Sequence, residues 1–96
     1  MAARLGATVK MLGKVGNDDF GDDYLRQLKE EKVDTSGVER ESTTCTGIAQ
    51  ITVSGSGENC IVVVPGANGA VDIDYCQSVL EPHILGSKVL LCQVST

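Results

Sequence analysis

Tryptophan is absent, histidine occurs once, proline twice, and aromatic residues make up only 3% of the 96-residue chain. With Phe20, Tyr24 and Tyr75 as the only rings, a core has to be built from Val, Ile, Leu and Ala, as in a sheet covered by helices. Long apolar runs are missing too. Ile61–Pro65 is the longest, against the ~20 residues that a membrane span requires. No charged-then-apolar leader follows Met1, so the residues give no signal for export. Basic clusters are also lacking: eight Lys and Arg are scattered against 13 acids, for a net charge of −5. Phosphate neutralisation needs grouped cations, so neither nucleic acid nor an anionic membrane surface is an expected partner.

What is present is ordinary globular composition, 42% hydrophobic and 22% charged, in a length that allows one small domain. The four cysteines at 45, 60, 76 and 92 contain no Cys-x-x-Cys, and His83 has no partner at zinc-site spacing. They read as reduced thiols, buried or half-buried, in a reducing compartment: the cytoplasm, with the nucleus left open.

Hydrophobic periodicity divides the chain into alternating element types. Ala2–Leu5 reads as a last helical turn stopped by Gly6. Thr8–Val15 reads as a strand, followed by a helix with Asn17 as N-cap, Asp18 and Asp19 in its first turn, and Phe20, Tyr24, Leu25 and Leu28 as its apolar stripe. Gly37–Glu41, Cys45–Val53 and Asn59–Val64 read as strands, an antiparallel hairpin with one extra strand, turned at Ser54–Gly57. Ala49, Ile51 and Val53 fall on one face of the second strand. Asp72 caps a helix carrying Ile73, Cys76, Val79 and Leu80, interrupted near Pro82, and Lys88–Val94 reads as a final buried strand. The fold class is therefore α/β, a strand–helix unit with a β insertion at 37–65 and a closing helix–strand unit. An opening helix without a start and a closing strand without a successor give the expectation of a segment of a larger protein.

The residues carry little chemistry of their own. Asp18, Asp19, Asp22 and Asp23 lack the alternating ligands and terminal Glu of a calcium loop, and read as a solvated helix start. His83, after Pro82, reads as exposed and has no base or nucleophile partner. Ser54–Asn59 lacks the order of a P-loop and reads as a hairpin turn. Pro65–Gly69, between strand and helix, reads as a plain connection, with an anion site as the other reading.

Four motifs in order resemble the ribokinase-like (PfkB) carbohydrate kinases, and the likeness covers nearly all of the chain. Ala2–Ala7 followed by Lys14–Tyr24 (Lys-Val-Gly-Asn-Asp-Asp-Phe-Gly-Asp-Asp-Tyr) is similar to the end of the family's first signature. Thr46-Gly47-Ile48-Ala49 and Gly57-Glu58-Asn59-Cys60-Ile61 are similar to its lid strands, Gly66-Ala67-Asn68 to the loop after them, and Lys88–Gln93 to the strand leading toward the sugar. The resemblance implies a partial ribokinase-like sandwich with 37–65 as a β-lid. It implies transfer of the ATP γ-phosphoryl group to the 5-hydroxyl of D-ribose, with Mg2+ and a monovalent cation such as K+, in a homodimer joined through the lids. Ala49, Ile51 and Val63 take the positions of lid side chains that pack over the sugar, while plain sheet packing remains the other reading of all three. The family's catalytic Asp, anion hole, nucleotide site and first sugar-binding loop match nothing in the 96 residues, so the chain itself is expected to be inactive and to bind neither metal nor nucleotide. Ser95 stands where the family has a Glu that meets a ribose hydroxyl. Three alternatives stay open: a non-catalytic lid or dimerisation piece, part of another sugar or nucleoside kinase such as fructokinase, and an unrelated small α/β binding module.

Overall fold

The computed structural model describes residues 1–93. A 3-10 turn at Ala3–Leu5 ends at Gly6, whose φ of 98° is the left-handed stop expected there. Strand β1 (Gly13–Gly16) leads into helix α1 (Asp19–Glu30), and strand β2 (Val38–Glu41) returns to pair with β1 in parallel, Gly13 opposite Val38 and Gly16 opposite Glu41. This is a β-α-β unit. Strands β3 (Ile48–Val53) and β4 (Asn59–Val64) form a separate antiparallel ribbon. A 3-10 turn at Gly66–Ala70 follows, and the chain then runs through α2 (Ile73–Tyr75), a π-helical turn (Cys76–Leu80) and α3 (Glu81–Leu85).

The order of elements is that read from the sequence; several boundaries and pairings are not. The first strand is shorter than Thr8–Val15. Val9 and Met11 do exchange backbone hydrogen bonds with Asp34 at 2.9 and 3.0 Å, but the partner chain then turns at Thr35–Val38 and breaks the ladder before β1 proper. Val38–Glu41 joins β1 rather than the hairpin, so the projecting ribbon has two strands. The helix cap is Asp18, not Asn17: its carboxylate accepts the Gly21 N–H at 2.9 Å. Asp72 caps as expected, accepting from Tyr75 N–H. The irregularity falls just before Pro82, near where the sequence puts it. Pro82 has no N–H to give to Ser78, and the preceding turn widens so that Glu81 N–H reaches the Cys76 carbonyl five residues back.

Lys88–Gln93 is not a strand: it pairs with no described strand, and Val89, Leu90 and Leu91 are exposed. A strand exists only through its ladder, and no described edge accepts this one. Residues 94–96, including Ser95, lie outside the described part. The cysteines are free, as expected, but all four are exposed, because no layer lies over the faces that carry them. His83 is half-buried rather than exposed, with Nε2 3.2 Å from where a Cβ on Gly37 would stand.

The core is small: Val15, Ala67 and Tyr75 are its buried hydrophobic residues. Tyr75 ties the unit together. Its hydroxyl accepts the Gly13 N–H at 2.7 Å and donates to the Gly37 carbonyl at 2.8 Å, bridging the starts of β1 and β2 from the C-terminal helical segment. Lys14 crosses its ring at 5.3 Å and reaches Glu39 and Glu41 on β2.

Candidate functional site

β-branched residues dominate β3 and β4 (Ile48, Ile51, Thr52 and Val53 on one, Ile61 to Val64 on the other), and the Ser-Gly-Ser-Gly turn between them reverses the chain. Ser54 N–H donates to the Glu58 carbonyl at 2.7 Å, and Gly57 supplies the positive φ of 89° that the turn requires. The register sets Ala49 opposite Val63 and Ile51 opposite Ile61. Directly opposed residues share a face and side chains alternate, so Ala49, Ile51, Val53, Ile61 and Val63 form one face, apolar except for Asn59 opposite Val53 at the turn end. The opposite face carries Ile48, Gln50, Thr52, Cys60, Val62 and Val64. Every residue of both strands is exposed. The three lid positions named from sequence are thus brought together on one side of a flap that stands clear of the β-α-β unit.

The flap joins the body at two roots. Ahead of β3, the Thr46 N–H donates to Asp18 Oδ2 at 2.9 Å and its hydroxyl to Asp18 Oδ1 at 2.6 Å, while the same hydroxyl accepts the Gly16 N–H at 2.9 Å. Together with the bond from Gly21, these donors hold the Asp18 carboxyl below the usual carboxylate range, the Thr46 hydroxyl contributing most. Close approach explains the glycines. A Cβ on Gly16 would lie 2.4 Å from Thr46 N, and one on Gly21 2.4 Å from the Gly16 carbonyl oxygen. After β4, Ala67 N–H donates to the Cys45 carbonyl at 2.6 Å, and Gly66 at φ 53° leaves no room for a side chain against that carbonyl. Within the Pro65–Gly69 stretch, Ala67 and Asn68 give their N–H groups to the Cys45 and Pro65 carbonyls.

Sequence reasoning missed Asp18 and Thr46 as a pair. Asp18 was visible only as one of four acids, and nothing local marks its bond to a threonine 28 residues away. The other acids separate: Asp22 pairs with Arg40 at 2.5 Å and Asp23 with Arg26 at 3.1 Å. Among the described residues no three His, Cys, Asp or Glu side chains gather as metal ligands, and Asp18 has its oxygens committed to amide and hydroxyl donors. These residues do not fit Mg2+ or K+. His83 hydrogen-bonds to no side chain among the described residues. No described helix is long and apolar enough to cross a membrane.

Beside the flap, β1, the face of α1 with Phe20 and Tyr24, and residues 86–93 enclose an open concavity of about 2030 Å³. Small-molecule sites occupy roughly 300–1,000 Å³, so this hollow is larger than an ordinary ligand pocket.

Comparison with known proteins accords with this geometry. The model of the pfkB family carbohydrate kinases matches residues 1–95. The chain is 40% identical over 96 residues to the mouse ribokinase, covering 97% of this chain and 28% of that protein. With the ribokinase of Bacillus subtilis (strain 168) it shares 45% identity over 92 residues, 96% of this chain and 31% of the relative. It superposes with a TM-score of 0.69 and 28% identity on an E. coli protein assigned as a ribokinase II and solved with ATP and Mg2+, over 76% of this chain and 23% of that one. The chain thus spans less than a third of the curated relatives it matches. Its strand–helix unit, flap and C-terminal helical segment are a partial ribokinase-like α/β fold, and the chain belongs to the pfkB family of carbohydrate kinases.

Proposed function

We propose that this chain is the lid-bearing segment of an ATP-dependent kinase that phosphorylates D-ribose at its 5-hydroxyl to give ribose 5-phosphate. The observation that carries the reading is the flap: Ala49, Ile51 and Val63 converge on one exposed apolar face, set by the β3–β4 register. The relatives named ribokinase supply the sugar. Residues 37–65 act as the lid insertion, with β3 and β4 as its projecting part. An apolar cover over the sugar keeps water from the phosphoryl group, so that it meets the sugar hydroxyl instead. ATP and Mg2+ bind, on this reading, to parts of the kinase other than this segment, as does the monovalent cation K+. By itself the 96-residue chain is inactive. The opposite flap face, with Ile48, Val62 and Val64, pairs with the lid of a second copy in a homodimer.

A chimera tests this: the Bacillus subtilis ribokinase with its matched segment replaced by this chain. It should release ADP in the presence of ribose and prefer ribose to fructose. Ile51→Asp puts a charge on the proposed sugar face and should raise the KM for ribose by about tenfold or more. Thr52→Asp, one position along and on the other face, should weaken self-association in sedimentation with little change in KM. Equal KM effects from the two substitutions, or a preference for fructose, would overturn the assignment.

A further inference from the structure

The strands of the flap hydrogen-bond to each other and are exposed along their whole length, so the flap's angle to the body is set at its roots. The two roots are built differently. The outgoing one is a close-packed backbone joint: Ala67 is wholly buried and donates its N–H to the Cys45 carbonyl, and Gly47 faces Asn68 with no room for a Cβ. The incoming one is polar and charged. Thr46 is the last residue before Gly47, and its hydroxyl lies between Gly16 at the end of β1 and Asp18 at the start of α1. Capping α1 uses one acceptor on Asp18, the bond from Gly21. The second oxygen and a further bond to the first go to Thr46, more than a helix cap requires. Gly47, next in sequence, has no side chain and is the first residue beyond Thr46 at which backbone torsion can turn the flap, its contacts with Pro65 and Asn68 parting as it does.

We propose that Asp18 and Thr46 form a positioning latch, which fixes the incoming root of the flap to the β1–α1 junction and so sets the angle at which the flap closes over the sugar. This rests on the sugar-lid reading above. The flap swings beyond Gly47, while Thr46 stays bonded to Asp18 and Gly16 in open and closed forms alike. With the latch broken, the root moves with the flap, and closure loses its aim. The sugar is then held less well and water reaches the phosphoryl group more often.

The test uses the same chimera. Thr46→Val keeps the side-chain shape and removes the hydroxyl that serves both Gly16 and Asp18. Its expected signature is a ribose KM raised by about tenfold with kcat within about threefold, together with more ATP hydrolysed per sugar phosphorylated. Thr46→Ser restores both. Hydrogen exchange read by mass spectrometry should quicken in peptides covering 16–21 and 45–48 and stay unchanged over 23–30. Should Thr46→Val not fold, Asp18→Asn, which keeps the shape and a cap acceptor but loses the charge, is expected to give the same pattern. An unchanged KM and hydrolysis ratio in Thr46→Val would overturn the latch, as would a fall in kcat alone with faster exchange throughout α1. A parent chimera that turns over no ribose would sink the sugar-lid reading instead. Exchange then decides the latch by itself: a rise confined to 16–21 and 45–48 supports it, and no rise refutes it.

Discussion

One oxygen atom holds three backbone segments together. The Tyr75 hydroxyl is tied to Gly13 and Gly37, and burial pushes its pKa above the ordinary tyrosine value. Tyr75→Phe keeps the ring and leaves a strand N–H and a carbonyl without their partner, so it should destabilise the fold by about 1–3 kcal/mol, read as a lower urea midpoint. Acid acts on the other polar joint. Asp18, Asp34 and Glu41 are each held below the usual carboxylate range, chiefly by bonds from Thr46, Ser36 and Thr43 respectively. A depressed carboxylate contributes stability that is complete above its unfolded pKa and is lost as pH falls through the folded value. Urea midpoints should therefore be level from neutral pH down to about 5 and drop below about 4; a level profile to pH 3 would show these bonds to be unimportant. Neither joint was legible in the sequence. Asn17 and Asp18 are equally good caps by residue type, and what selects Asp18 is Thr46, brought alongside by the fold. Tyr75 read as one aromatic among three, because its partners are backbone atoms 62 and 38 residues away.

Among the elements, the flap was the most legible. Alternation in Ala49-Gln50-Ile51-Thr52-Val53, a Gly-Ser turn and an apolar second strand fix both pairing and face, and the observed register follows. β2 was less so, since four residues, three of them charged, do not say which neighbour they will pair with. The end of α1 shows a local conflict that a substitution can relieve. Lys32 N–H donates to the Lys29 carbonyl and Val33 N–H to that of Leu28, both at 3.0 Å, which is a Schellman closure with Lys32 at φ 61°. A lysine pays for that left-handed conformation where glycine does not. Lys32→Gly should raise stability by about 1 kcal/mol, and Lys32→Ala, which keeps the Cβ, should not. The charge of Lys32 makes no ion pair among the described residues, so the two substitutions differ in backbone freedom alone.

At the scale of the whole molecule, the described surface is too large for the mass. A compact monomer of 10.1 kDa exposes roughly 5,300 Å², and this chain exposes 7386 Å². Its radius of gyration is 15.1 Å, where about 12.5 Å is usual for 96 residues. Large hydrophobic side chains are exposed on identifiable faces: Phe20 on α1, both sides of the flap, and Leu90 and Leu91 in the segment read from sequence as a strand. That reading failed for a physical reason. Apolarity on both sides of Lys88–Gln93 reads as a buried strand, but burial needs a neighbouring strand and a covering layer, and the described residues provide neither. Two measurements on the 96-residue chain follow from this surface. The urea m-value scales with the area exposed on unfolding, and much of that area is exposed already, so m should lie below the roughly 1 kcal/mol/M at the low end for closed small domains. Exposed apolar faces of this extent also drive association. Sedimentation at micromolar concentration should show reversible dimers, which Thr52→Asp on the flap weakens. A strict monomer with a full-sized m-value would mean that residues 88–93 and the flap fold back over α1 in solution, closing the concavity with the chain's own apolar segments.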